Sequence, residues 1–225
     1  MASAGTNQCQ SHDVLRDLLH FVSQPLTTLH CVLESSLAQD EVEHTEDIFL
    51  ALEQTERVIG AVRLMREYLE AEQVCSSTVP VPLGPLVDMV LQQLAALAET
   101  RGVHLFGSGV SKAVIPARHD WLQRALLYLV GALIEREPPG RAITVLIEDG
   151  RTQSVISGHS FLAKPSLDCA PPPAPDSSVL RQVKIAIAQR ALESAGALVQ
   201  FYSDDRPGFT IRIPRSGSAL NELSA

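Results

Sequence analysis

Apolar residues near the start of the chain recur at alternating steps of four and three: Leu15, Leu19, Val22, Leu26, Leu29 and Leu33. That heptad rhythm predicts a helix from near Asp13 to near Ala38, capped by Ser11 or Asp13. Pro25 falls inside it, removes one backbone hydrogen bond, and predicts a local bend. A second stripe, Ile48, Leu52, Val58, Ile59, Val62, Met65 and Leu69, predicts a second helix. Asp40 and Glu43 have the spacing of a capping box at its start. Glu53 with Arg57, and Arg63 with Glu67, are ion-pair candidates one turn apart. The short connection forces an antiparallel hairpin. Two helices alone bury such stripes poorly, so the pattern predicts a homodimer in which two hairpins form a four-helix bundle.

Beyond a linker at Cys75-Ser76-Ser77-Thr78 the pattern alternates between short strands and helices. Strands are expected at Thr78 to Val81, Val103 to Phe106 and Ala113 to Ile115, the latter two around the turn Gly107-Ser108-Gly109. Helices are expected at Leu83 to Thr100, from a cap at Asp120 to Pro138-Pro139-Gly140, and at Ser178 to Ala195. Ala142 to Glu148 and Thr152 to Ser157 alternate like a hairpin about Asp149-Gly150. Ala197 to Tyr202 and Phe209 to Ile213 read as a last hairpin. The class is therefore α+β: a helical hairpin domain (1–76), a two-layer α/β sandwich (77–216) and a tail (217–225).

An apolar fraction of 45% supports a real core. The net charge of −8 argues against nucleic acid and against anionic lipid as partners. The four cysteines, Cys9, Cys31, Cys75 and Cys169, are scattered without a CxxC pair, so no zinc knuckle or dithiol site is expected. Reduced thiols fit the cytoplasm. The first residues lack the basic and apolar regions of a signal peptide, and no apolar run is long enough for a membrane span.

The candidate chemistry lies in His20-Phe21-Val22-Ser23-Gln24-Pro25-Leu26-Thr27. Imidazole offers a neutral nucleophilic nitrogen at cytoplasmic pH. The run resembles the phosphoacceptor box of two-component histidine kinases, usually close to H-E-L-R-T-P-L-T, with Phe21 in place of the acidic residue. Downstream, Leu126-Leu127-Tyr128-Leu129-Val130 before Pro138-Pro139-Gly140, and Ala186 to Ala197, are similar to the ATPase domain of the same family. The resemblance covers nearly the whole chain and implies that His20 is a phosphoacceptor. Phe21, Ser23 and Thr27 would then dock a response-regulator receiver, and Gln24, one turn on, would orient water.

The positions that should bind nucleotide depart from the family. Ala132 stands where the resemblance puts a magnesium-binding asparagine, and a methyl group cannot ligate a hard cation. Gly158-His159-Ser160-Phe161 replaces an adenine-reading D-x-G-x-G. Arg181-Gln182-Val183-Lys184 stands for a phosphate loop and has no glycine. The lid reads Pro165 to Pro175. The expectation is no cofactor and no metal of its own, with magnesium brought by the partner receiver. Three functions follow: a phosphotransferase exchanging a phosphoryl group between His20 and receiver aspartates, a receiver phosphatase using Gln24, or a pseudokinase that sequesters a receiver or kinase. A hairpin dimer outside phosphorelay is the generic alternative.

Overall fold

The computed structural model describes residues 4–38, 45–71, 78–109, 111–162, 175–202 and 207–215. The chain divides into two compact units, Met1–Glu70 and Ala71–Ala225. Asp40 and Glu43, the linker residues Cys75 to Ser77, the lid from Pro165 to Pro173, and the tail 217–225 lie outside the described residues.

The first unit is a pair of helices, α1 (Ala4–Ala38) and α2 (Thr45–Glu70), packed on each other. The first begins well before Asp13, so Ser11 and Asp13 are interior positions and neither caps the helix. It continues through Pro25, which is buried. Proline leaves the carbonyl of Phe21 without its usual donor. Around it, the hydroxyls of Ser23, Thr27 and Thr28 donate to the carbonyls of Leu19 (2.8 Å), Ser23 (2.9 Å) and Gln24 (3.2 Å).

The single apolar seam expected from the sequence is two seams. Leu18, Val22, Pro25, Leu29 and Val32 are buried or half-buried, again at steps of four and three. On α2 the inward positions are Ala51, Gln54, Val58, Ala61, Met65 and Tyr68. Larger apolar side chains sit one residue over. Leu19, Leu26, Leu33, Ile48, Leu52, Ile59, Val62 and Leu69 keep 46–65% of their surface in solvent.

The second unit has three helices, α3 (Leu83–Thr100), α4 (His119–Arg136) and α5 (Pro175–Ser194). Its strands are β1 (Val79–Pro82), β2 (His104–Ser108), β3 (Val114–Ala117), β4 (Arg141–Asp149), β5 (Gln153–Leu162), β6 (Leu198–Tyr202) and β7 (Gly208–Pro214). Five of them form a sheet ordered β2-β4-β5-β7-β6, in which β2 runs parallel to β4 and the other pairs are antiparallel.

Alternation along these strands sends Ile143, Val145, Ile147, Ile156, Phe209, Ile211 and Ile213 to one core. There they meet Leu86, Val90 and Leu94 of α3, Leu126, Leu129 and Leu133 of α4, and Ala188 and Leu192 of α5. Each large aliphatic side chain so buried contributes about 1.5–3 kcal/mol.

Two local expectations are corrected. The strands β2 and β3 do not form a hairpin: β3 pairs with β1 in a separate two-stranded ribbon, and β2 joins the main sheet. Contacts distant in sequence decide this. The Gly140 N–H donates to the Gly102 carbonyl at 2.8 Å, tying the entry of β2 to that of β4. The Leu83 N–H donates to the Ala113 carbonyl at 3.0 Å, tying β3 to the start of α3. Asp120 is not a cap either. Arg118 holds the N-cap position without a side-chain bond, and Asp120 lies within the first turn, where its charge favours the positive end of the helix.

Candidate functional site

The inner seam of α1 fixes where His20 can go. With Leu18, Val22 and Pro25 turned inward, His20 and Gln24 fall one turn apart on the opposite side, and both are exposed. A helical side chain leans toward the N-terminus, which brings the Gln24 carboxamide back over His20. The two Nε2 atoms are 3.3 Å apart. An amide nitrogen can only donate, so this contact is a hydrogen bond when the ring nitrogen carries a lone pair, with its proton on Nδ1. The same nitrogen is the one that would attack an electrophile, and in that hydrogen bond its lone pair faces the Gln24 amide.

The three residues expected to flank a docked partner differ in presentation. Ser23 and Thr27 are exposed, with their hydroxyl protons committed to the helix backbone and their oxygens still able to accept. Phe21 is half-buried and offers part of its ring. Leu19, not singled out from sequence as a contact residue, presents most of its side chain immediately beside His20.

In the second unit, several of the residues expected near a nucleotide are engaged by neighbours elsewhere in the fold. Ala132 is buried within α4. The segment Arg181 to Lys184 is not a loop: it lies inside α5, where backbone N–H groups serve the helix. Lys184 Nζ stands 3.0 Å from Glu135 Oε1, bridging α5 to α4. This carboxylate neutralises the lysine and would repel a polyphosphate.

The strand β5 continues to Leu162 through Gly158 to Phe161. A Cβ at Gly158 would collide with the ring of Phe209, so this glycine serves sheet packing. His159 stacks on Tyr202 with ring centres 6.4 Å apart, and the Ser160 N–H donates to the Pro207 carbonyl at 3.1 Å. Neither Ser160 Oγ nor Arg181 Nη1, both buried, has a hydrogen-bond partner among the described residues. Among the described residues no three His, Cys, Asp or Glu side chains gather where they could hold a metal ion. The residues present therefore fit a magnesium nucleotide poorly: the expected ligand is a methyl group and the one lysine of that segment is already paired.

No family model matches this sequence, and no curated protein matches it. Solved structures do resemble it. The Acinetobacter baumannii histidine kinase AdeS matches over 88% of this chain and 98% of its own, at 14% identity and a TM-score of 0.67. The histidine kinase ThkA, in its complex with response regulator protein TrrA, matches over 91% of this chain at 13% identity and a TM-score of 0.65; this chain spans 61% of its length. A histidine kinase from Burkholderia phymatum STM815 covers 89% of this chain and 98% of its own at 15% identity, with a TM-score of 0.53. At these identities the likeness is one of fold: the hairpin followed by the α/β sandwich is the architecture of histidine kinases. Among the described residues no helix is long and apolar enough to cross a membrane.

Proposed function

We propose that this protein is a cytoplasmic histidine phosphotransferase of a two-component phosphorelay, exchanging a phosphoryl group between His20 and the aspartates of response-regulator receivers. The observation that carries the reading is the exposed His20 ring on a paired helix, its Nε2 held 3.3 Å from the Gln24 amide nitrogen. The His20 Nε2 lone pair attacks the phosphorus of a receiver's aspartyl phosphate. A P–N bond forms as the P–O bond breaks, and the aspartate carboxylate leaves with the electron pair. The reverse step returns the group to a second receiver. Such a transfer needs in-line positioning more than acid–base chemistry. Phe21 in place of an acid is therefore less damaging to it than to attack on ATP. As the P–N bond forms, the Gln24 amide loses the ring lone pair as acceptor and can donate to a phosphoryl oxygen instead.

Two further features belong to this reading. The exposed apolar residues of α1 and α2 favour a second copy of the hairpin as their cover, giving a homodimeric four-helix bundle. The Glu135–Lys184 pair and Ala132 favour a unit that binds no ATP, so phosphoryl groups come from receivers, which bring their own magnesium. A structurally similar kinase binds a response regulator, and we extend that partnership to this chain.

A second reading rests on Gln24. Its carboxamide, placed one turn from His20, could instead hold water in line with a receiver's aspartyl phosphate and make the protein a phosphatase. One experiment separates them. A receiver phosphorylated with radiolabelled acetyl phosphate is mixed with the protein. Label moving onto His20 supports transfer, and free phosphate released through a Gln24-dependent step supports hydrolysis. Binding with neither outcome leaves a sequestering pseudokinase.

A further inference from the structure

Among the described residues the His20 ring makes one hydrogen-bond contact, the 3.3 Å approach of its Nε2 to the Gln24 amide nitrogen. That contact discriminates between two forms of the ring. A neutral imidazole carries its proton on either nitrogen, and in water the free ring favours Nε2–H, the form whose Nε2 cannot attack. Which nitrogen is protonated is set by the hydrogen bond that the other one makes. An amide nitrogen only donates, so the Gln24 contact is a bond in the Nδ1–H form and none in the Nε2–H form. We propose that Gln24 is a positioning residue that sets the tautomer of His20, raising the share of rings protonated on Nδ1 and so making Nε2 the atom that takes the phosphoryl group. The inference rests on the phosphotransfer reading of His20 and adds to it which ring nitrogen is phosphorylated.

The neighbours of His20 give this contact its weight. Phe21 follows the histidine and has no carboxylate to accept from Nδ1–H. The hydroxyl protons of Ser23 and Thr27 go to the carbonyls of Leu19 and Ser23. Selection therefore falls to the Nε2 side, where helical spacing alone puts Gln24. Tautomers exchange fast, so a preference in the resting ring fixes the product only if the donor follows the reaction. Gln24 can follow it. When the Nε2 lone pair goes to phosphorus, the amide N–H turns to a phosphoryl oxygen on that same nitrogen, and the charge on the oxygen strengthens the bond. The Nδ1 proton leaves to solvent and the ring is neutral again. A phosphoryl group on Nδ1 points away from this amide.

The test needs no receiver. Ring-nitrogen NMR of the full-length protein, made with isotope-labelled histidine, reads the tautomer ratio of neutral His20 at about pH 8.5, roughly two units above the ordinary imidazole pKa. His20→Ala identifies the resonances, and Gln24 is exposed, so its variants keep the helix. The expected result is that the ratio of Nδ1–H to Nε2–H falls about 1.5-fold to 2.5-fold in Gln24→Leu. It should fall further in Gln24→Glu, whose carboxylate only accepts and so favours Nε2–H. Phosphoramidate then reads the product: the Nε2–P bond forms as the reagent's P–N bond breaks, and ammonia leaves with the electron pair and takes up a proton. In phosphorus NMR the label on Nε2 should predominate in the wild type, and the share on Nδ1 should rise in Gln24→Leu. Equal tautomer ratios in wild type and Gln24→Leu, a Gln24→Glu ratio at or above that of the wild type, or an unchanged division of label between the nitrogens would each overturn the inference. Failure of the phosphotransfer reading looks different: ratio and label respond to Gln24 as expected, yet no phosphorylated receiver passes its group to His20.

Discussion

At the residue scale, the shared face of His20 and Gln24 was legible because it depends on helical spacing alone. On any helix a histidine and a glutamine four apart share a face, and the structure adds the 3.3 Å approach of their nitrogens. His20→Ala should abolish acid-labile label on the protein while leaving its circular dichroism unchanged, because the side chain is exposed. Gln24→Ala removes one amide hydrogen bond from the His20 site and should slow transfer modestly; it should slow release of free phosphate from a receiver only if hydrolysis is the activity. In the sequence Gly158 reads only as part of a missing nucleotide motif, because its true constraint is the Phe209 ring, far along the chain. Gly158→Ala drives a methyl group into that ring at the centre of the sheet. It should cost about 1–3 kcal/mol in urea unfolding.

At the element scale, the hairpin was legible but its faces were not. Leu18 is adjacent to Leu19, Pro25 to Leu26, and Val32 to Leu33, so two heptad stripes run side by side one residue apart. Period alone cannot say which stripe meets the partner helix of the same chain. The larger residues attract the reading, yet the close pair of helices is built on smaller or polar ones such as Ala51, Gln54 and Ala61. Two substitutions should separate the seams. Leu26→Glu, on the outer stripe, should convert a dimer to a monomer in sedimentation equilibrium with helix content largely kept. Leu18→Ala, at a fully buried position, should instead lower the stability of the fold by about 2–5 kcal/mol. The pairing of β2 with β4, and of β3 with β1, was beyond local reading for a similar reason: turn residues suggest a hairpin, but the choice of neighbour is made by contacts across the unit.

At the scale of the whole molecule, the order of elements resembles that of the solved histidine kinases. The α+β class and the two layers of the second unit follow from patterning, since strand and helix periods switch cleanly after residue 78. The Glu135–Lys184 bridge was not legible. The two residues are 49 apart and meet only because α4 and α5 pack side by side. Both side chains are mostly buried, at 18% and 29% exposure. Lys184→Met strands the Glu135 carboxylate in that setting and should lower stability by about 1–3 kcal/mol in urea, with Glu135→Gln in the same chain recovering part of it. With ATP and magnesium, calorimetry should register no binding and His20 should stay unlabelled.

The most direct test of phosphotransfer is label movement from a phosphorylated receiver. Receivers from the same organism are charged with radiolabelled acetyl phosphate, freed of the reagent, and mixed with wild-type protein or with His20→Ala. The expected result is acid-labile, base-stable label on the wild type alone, accompanied by loss from the receiver. Label that stays on every receiver, or that leaves only as free phosphate with His20 unmarked, would contradict a phosphotransferase.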